Sequence, residues 1–312
     1  IWIGTDGTGI NIYSYELNNF SYLQNAGNNA SSLSTNAVYC IFQSKTNMVW
    51  VGTFRGGINV YDPYKYKFRH FTNDPSNEKS LSFKPVLSIY EDKDKQVWVG
   101  TDGGGLNKLD KASGNFVRFQ FDPDNRNSLP ANVIKAIHED SKGNFWLGTY
   151  AKGLIKFNRN TGQSKSYTHN SDNPLSIGHM NVWVIYEDSH KNLWVGLMGG
   201  GLDLYNHETG TFSHYVSTVS DPTTISSNNI KTILEDSGSG LWVGTEGGGL
   251  NFFDYSTKKF KRYMHVEGQK GALNNNDVRA LHQSDKNKLW VGTANGLCLL
   301  DKSSNTFKTY TT

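Results

Sequence analysis

The feature that most constrains this chain is a tryptophan that returns every 48 residues. Its copies are Trp2, Trp50, Trp98, Trp146, Trp194, Trp242 and Trp290. The fullest copy reads Leu241-Trp242-Val243-Gly244-Thr245, followed at once by Glu246-Gly247-Gly248-Gly249-Leu250. Only Trp183 stands outside the series. A fixed period between 20 and 50 residues is the mark of a solenoid, a propeller or an array. Length alone would suggest about two domains, but equal units make one architecture over residues 1–312.

One unit, read from Ser80, shows what the repeat builds. Val86-Leu87-Ser88-Ile89-Tyr90 is an apolar run of strand length. Glu91-Asp92-Lys93-Asp94-Lys95 is a polar turn, and Val97-Trp98-Val99-Gly100-Thr101 is a second strand of β-branched and aromatic residues. Asp102-Gly103-Gly104-Gly105 turns the chain again, with glycine supplying positive φ. Leu106–Leu109 and Phe116–Phe119 are the third and fourth strands. Four strands per unit, with no helical period, is a β-propeller blade. A β-solenoid is the structural alternative, but its repeats are shorter.

The expected fold is therefore all-β: a seven-bladed β-propeller of four-stranded blades. The innermost strands are expected at Val38–Phe42, Val86–Tyr90, Ile134–His138, Val182–Tyr186, Ile230–Leu234 and Val278–His282. The first unit starts at its second strand, so the first blade lacks its inner strand. The chain thus reads as a piece of a longer protein. Inside the inner strands one position stays small or medium: Cys40, Ser88, Ala136, Val184, Thr232 and Ala280. Blades crowd near a propeller axis, which demands small side chains there. The repeated tryptophan is expected between neighbouring blades, where an indole buries a large apolar area.

Composition removes several function classes. The formal net charge is only +3 and dispersed, which argues against nucleic acid as a partner. No run of 18 apolar residues occurs, and no signal peptide is visible. Cys40 and Cys298 occupy non-equivalent repeat positions and read as small buried residues rather than a disulfide framework. No zinc spacing and no Gly-x-Ser-x-Gly elbow appear, so neither a metal site nor a cofactor is expected.

The combined pattern resembles the two-component regulator propeller repeat. It runs Asn228-Asn229-Ile230-Lys231-Thr232-Ile233-Leu234-Glu235-Asp236, then Leu241–Thr245, then Gly248-Gly249-Leu250-Asn251-Phe252-Phe253-Asp254. The resemblance covers the whole chain. It implies the periplasmic sensor region of a hybrid two-component system of Bacteroidetes, in which propellers precede a β-sandwich, a membrane helix and a histidine kinase. It also implies oligosaccharides as the signal, with the parent's neighbouring propeller and sandwich, or a second copy in a homodimer, as partners.

Some motifs suggest chemistry but have structural readings. Glu91-Asp92, Glu139-Asp140, Glu187-Asp188 and Glu235-Asp236 look like catalytic or metal-binding pairs. They fall on different blades, whereas a catalytic pair must converge to about 5–10 Å. The expectation is that Asp caps its turn. The glycine-rich turns are not phosphate cradles, because no helix follows them. His138 and His282 fill a position held elsewhere by Phe42, Tyr90, Tyr186 and Leu234, which implies a semi-buried role.

The informative residues are those that break the repeat. In a propeller, the loop entering the inner strand and the second-to-third turn open on one face, and function lives on such loops. The position after the first inner-strand residue is Tyr39, Leu87, Lys135, Trp183, Lys231 and Arg279 in successive units. The turns add Phe54-Arg55 and Tyr150-Ala151-Lys152. The candidate ligand-binding set is therefore Tyr39, Phe54, Arg55, Lys135, Tyr150, Trp183, Lys231 and Arg279. Aromatic faces stack on sugar rings, and Lys or Arg bind hydroxyls and carboxylates. This suits a glycan, acidic ones included. The alternative reading is that these residues plug the channel mouth or meet a neighbouring domain.

The leading functional expectation is a non-catalytic sensor propeller. One alternative is a propeller lyase acting on a polysaccharide or cyclic peptide, for which His179 and Arg279 are the pair to examine, since the fold hosts unrelated functions. The other is a scaffold or dimerisation propeller with no ligand of its own, marked by an exposed apolar side.

Overall fold

The computed structural model describes every residue except 28, 30, 46, 64–70, 126, 238 and 311–312. No helix occurs among the described residues. The chain is all-β, with the blades of a seven-bladed propeller. It divides into two compact units, Ile1–His70 and Phe71–Thr312.

The first unit holds blades one and two. Blade one has three strands, Trp2–Thr5, Gly9–Ser14 and Asn19–Leu23, and lacks an inner strand as expected. Blade two shows Val38–Gln43, Val49–Thr53 and Gly57–Tyr61. The expected outer strand of blade two lies outside the described residues.

The second unit holds five four-stranded antiparallel meanders. Their inner strands are Val86–Glu91, Ile134–Glu139, Val182–Glu187, Ile230–Glu235 and Val278–Asp285 for blades three to seven. Successive inner strands are neighbours. Each strand runs at least one residue further than the apolar pattern suggests, so the first acidic residue of each pair belongs to the strand. The reason is the ladder: Glu139, for example, still pairs with Phe145 on the second strand.

Apolar side chains collect between blades. Trp98 of blade three packs on Phe145 and Phe157 of blade four, with ring centroids 5.0 and 6.3 Å away. Trp146 meets Tyr205 of blade five at 5.0 Å, and Trp194 meets Phe253 of blade six at 5.4 Å. These tryptophans are at most 1% exposed. Removing such an indole costs about 3–5 kcal/mol. Trp50, by contrast, is 39% exposed.

The invariant glycine of the tryptophan strand follows from the same crowding. Gly148 pairs with Ala136 of its own blade. A Cβ there would come within 2.7 Å of Val182 on the next inner strand. The small inner position and the glycine therefore share one tight gap.

Two expectations fail. Cys40 is exposed, and only Cys298 is buried; both are free thiols. His282 is exposed while His138 is half-buried. The inner strand of blade seven flanks only that of blade six within this unit, so His282 has one wall where His138 has two.

Candidate functional site

The candidate positions share a local cause. In every complete inner strand the register slips between the first and third residues, leaving Tyr39, Leu87, Lys135, Trp183, Lys231 and Arg279 as unpaired bulge residues. A β-bulge releases its residue from the ladder and re-aims the side chain. Sequence variation at this position is tolerated because the backbone makes no pair there.

Three of these residues meet in the second unit. The Lys231 Nζ sits 3.7 Å from the centre of the Trp183 ring, and the Lys135 Nζ sits 5.0 Å from it. Blades four, five and six thus each contribute one member. Two ammonium groups on one indole are held by its quadrupole, at about 0.5–2 kcal/mol each. Lys231 also pairs with Glu246 at 2.9 Å, and its side chain is only 17% exposed. The Trp183 Nε1 is buried without a hydrogen-bond partner among the described residues. The indole is therefore covered by lysine ammonium groups rather than offered bare to a sugar ring. The cluster presents cation and hydrogen-bond donor chemistry.

The remaining candidates of this unit stand apart from that contact. Arg279 pairs with Asp277 at 2.9 Å, and its side chain is 64% exposed. Tyr150 is 53% exposed. It precedes Ala151, which holds φ 63° where the sister blades have Gly103, Gly199 and Gly247. A left-handed non-glycine residue costs about 1 kcal/mol. No ion pair or hydrogen bond joins His179 to Arg279 among the described residues. The His179 Nδ1 instead accepts the Asn181 N–H at 3.2 Å, which puts the proton of the neutral ring on Nε2.

Tyr39, Phe54 and Arg55 form a cluster of their own in the first unit. The Tyr39 and Phe54 rings stack at 5.3 Å and 28°. The Arg55 guanidinium lies 5.1 Å from the Phe54 ring. Arg55 is also left-handed, with φ 59°. Both rings are largely exposed, Tyr39 at 64% and Phe54 at 46%.

The acidic pairs do structural work in two directions. Asp92, Asp140 and Asp188 each accept the Nε1–H of the tryptophan six residues on, all at 2.8 Å. Their other oxygen caps the turn, as Asp140 does for the N–H groups of Lys142 and Asn144. The preceding glutamates reach back to the previous blade. Glu139 accepts the Lys93 N–H at 3.0 Å, and Glu187 accepts the Ser141 N–H at 2.8 Å. Burial pushes the Asp140 carboxyl up, but bonds from Trp146 and Asn144 outweigh it and hold the group below its usual range.

Comparison with known proteins places this architecture. The family model described as "Two component regulator propeller" matches residues 32–55, 80–103, 128–151, 176–199, 224–247 and 272–295. These six segments are two-component regulator propeller repeats. All eight candidate residues fall inside the matched segments of this regulator propeller. They are thus variable positions within a recognised repeat rather than insertions into it.

Among solved structures, the regulator propeller is similar to the extracellular domain of a protein assigned as a one-component system of B. thetaiotaomicron. The identity is 22% and the TM-score 0.56, over 99% of this chain and 46% of that one. It is also similar to PorZ, a surface component of the type-IX secretion system of Porphyromonas gingivalis. There the identity is 20% and the TM-score 0.57, over 95% of this chain and 43% of that one. A catalytically inactive variant of virginiamycin B lyase from Staphylococcus aureus, solved with quinupristin, matches at 15% identity and TM-score 0.53. That match covers 88% of this chain and 84% of the lyase. At these identities the likeness is one of fold. The chain spans about half the length of the first two structures. No curated protein matches it.

Proposed function

We propose that this chain is a ligand-recognition propeller in the extracytoplasmic, periplasmic part of a hybrid two-component sensor. It binds rather than transforms its ligand, and the ligand is an oligosaccharide carrying carboxylates. The observation that carries this reading is the Lys135–Trp183–Lys231 cluster. It gathers one bulge residue from each of three successive blades. Two ammonium groups beside a covered indole favour an anionic group, and a bound carboxylate would draw Lys231 from Glu246. Arg279 and Tyr150 add further contacts on the same unit. The repeats support the signalling context, with a neighbouring propeller, a β-sandwich or a second copy as the parts that relay binding.

The test is calorimetric titration of the chain with matched neutral and uronic-acid oligosaccharides. Saturable binding of the acidic members without turnover is expected. Lys231→Ala should weaken it at least tenfold, and Trp183→Ala should abolish it, both with a wild-type melting transition. Unchanged affinity in both variants would remove the cluster from the site. Turnover would favour a lyase, and no binding to any member would favour a scaffold.

A further inference from the structure

A cleft of the second unit lies elsewhere, between blades three and four. Its volume is 730 Å³, against 420 Å³ for the corresponding cleft between blades six and seven. A volume of about 300–1,000 Å³ is the usual range for small-ligand sites. Its lining includes Trp98, Lys108, Phe145, Phe157, Gln163 and Ser164.

The repeat itself says why the cleft is there. The first outer-strand residue is phenylalanine at Phe116, Phe212 and Phe260, Phe307 holds the equivalent position in blade seven, and each is at most 8% exposed. Phe212, Phe260 and Phe307 each enter the core cluster of the junction behind them. In blade four the same position is Ser164. It pairs with Phe157, just as Phe212 pairs with Tyr205 and Phe260 with Phe253. The strand geometry is kept and the phenyl group is missing. Phe145 replaces the leucine of Leu193, Leu241 and Leu289, which adds a ring beside Trp98 but leaves the cleft open.

A second departure comes from the opposite wall. Lys108 pairs with Trp98 on blade three, so its side chain shares the face that Trp98 turns to blade four. The Lys108 Nζ lies 5.6 Å from the Trp98 ring. The sister residues Leu204, Phe252 and Leu299 are apolar. Lys156 repeats the lysine in blade four; it pairs with Trp146 in the strand register and also lines this cleft. Among the described residues Lys108 has no ion-pair partner, whereas Arg159 at the same cleft is taken by Asp92 and Glu139. A phenyl-sized gap floored by Phe157 and Trp98 thus faces the Lys108 ammonium group, with Lys156 and Lys165 further along the same lining.

We infer that the cleft between blades three and four is a binding site for a small aromatic carboxylate. Its ring takes the place left by the phenylalanine that Ser164 replaces, and its carboxylate pairs with Lys108. The ring would meet Phe157 and Trp98 edge-on or offset, as the sister phenyl groups meet their own neighbours. The Ser164 hydroxyl and the Gln163 amide can complete the hydrogen bonds of the anion.

The probe is 3-phenylpropionate, titrated by calorimetry with benzyl alcohol and acetate as the neutral-ring and ringless controls. The wild-type chain is expected to bind the phenylpropionate at least tenfold more tightly than either control. Ser164→Phe restores the sister residue, so it should fold with an unchanged or higher melting temperature and lose binding at least tenfold. Lys108→Leu, again a sister residue, should bring phenylpropionate down to the affinity of benzyl alcohol. Trp183→Ala should leave phenylpropionate binding unchanged, which separates this site from the oligosaccharide cluster. Absence of saturable binding, or equal affinity in wild type and a folded Ser164→Phe variant, overturns the proposal. Should Ser164→Phe fail to fold, equal affinity in wild type and Lys108→Leu overturns it.

Discussion

The junction between blades three and four and the junction between blades four and five use one design with different closing residues. In both, an aspartate receives the indole N–H at 2.8 Å. In both, the next blade's glutamate holds a backbone N–H of the preceding turn. The third member differs. Arg159 joins Asp92 at 2.7 Å and Glu139 at 2.6 Å, with both carboxylates nearly buried. The equivalent residue one repeat on is His207, whose buried Nε2 has no hydrogen-bond partner among the described residues. The plug differs as well, Ser164 in the first junction and Phe212 in the second. The first junction is locked by charge and open to solvent; the second is closed by an aromatic ring and holds two imidazoles, His138 and His207, whose pKa burial lowers. A repeat conserves its backbone bonds while the few side chains that span two blades set each junction's chemistry.

The largest test of this contrast is Arg159→Met beside His207→Met. Removing the guanidinium leaves Asp92 and Glu139 as buried charges without their main partner. Loss of one member of a buried pair costs about 3–5 kcal/mol. Because Glu139 keeps the Lys93 N–H, we expect about 3 kcal/mol in urea unfolding, the low end of that range. His207→Met should change stability by less than about 1 kcal/mol, since no bond to the ring Nε2 is lost. Equal losses would show that the two junctions are not locked differently.

The next effect is in pH. Burial, followed by Lys142, depresses His207 below its ordinary value, against Asp140 and Glu187. Burial depresses His138 as well, against Glu187, Asp140 and Glu139. A depressed histidine contributes stability above its unfolded pKa of about 6.5, and that contribution is lost as pH falls through the folded value. Hydrogen exchange at the junction of blades four and five should therefore quicken below about pH 6.5, and the Arg159 junction should not follow. Changing His138 and His207 to tyrosine, the residue found at Tyr90, Tyr186 and Tyr255, should flatten the response. His214 works in the opposite sense. Its bond to buried Asp203, at 2.6 Å, raises its pKa against burial. Its contribution is complete below about pH 6.5 and is lost as pH rises through the folded value, so His214→Gln should steepen the acid loss.

The smallest effect sharpens the other half of the contrast. Ser164→Phe should make the first junction resemble the second and raise stability by about 1 kcal/mol, in the range of a cavity-filling change. A loss of stability would mean that Phe145 already occupies the space.

Much of this is legible in the sequence. The tryptophan period predicted seven blades and the absent first inner strand, because a blade needs the same apolar face at the same interval. The variable position holding Lys135, Trp183 and Lys231 stood out against a regular strand. What it was could not be read: a bulge shifts register without altering the apolar pattern. The pairing of Lys231 with Glu246 had a faint signal, since Ile230 faces Thr245 across the ladder and opposite charges follow both. The covering of Trp183 by two lysines had none, because its members come from three blades.

By itself the sequence determined what repeats: strand order, the turn glycines, and the tryptophan at the same place in each unit's second strand. Each depends on local pattern, which a fixed period multiplies until it is unmistakable. The tertiary structure alone decided how unlike residues of neighbouring blades meet. It turned Glu139 back to blade three while Asp140 stayed with Trp146, set Lys108 opposite Ser164, and gathered two ammonium groups on one indole. Those contacts join residues far apart in the chain, such as Arg159 and Asp92, at separation 67. Periodicity specifies what a blade is, and only the packing of one blade on the next specifies which of its exceptions face each other.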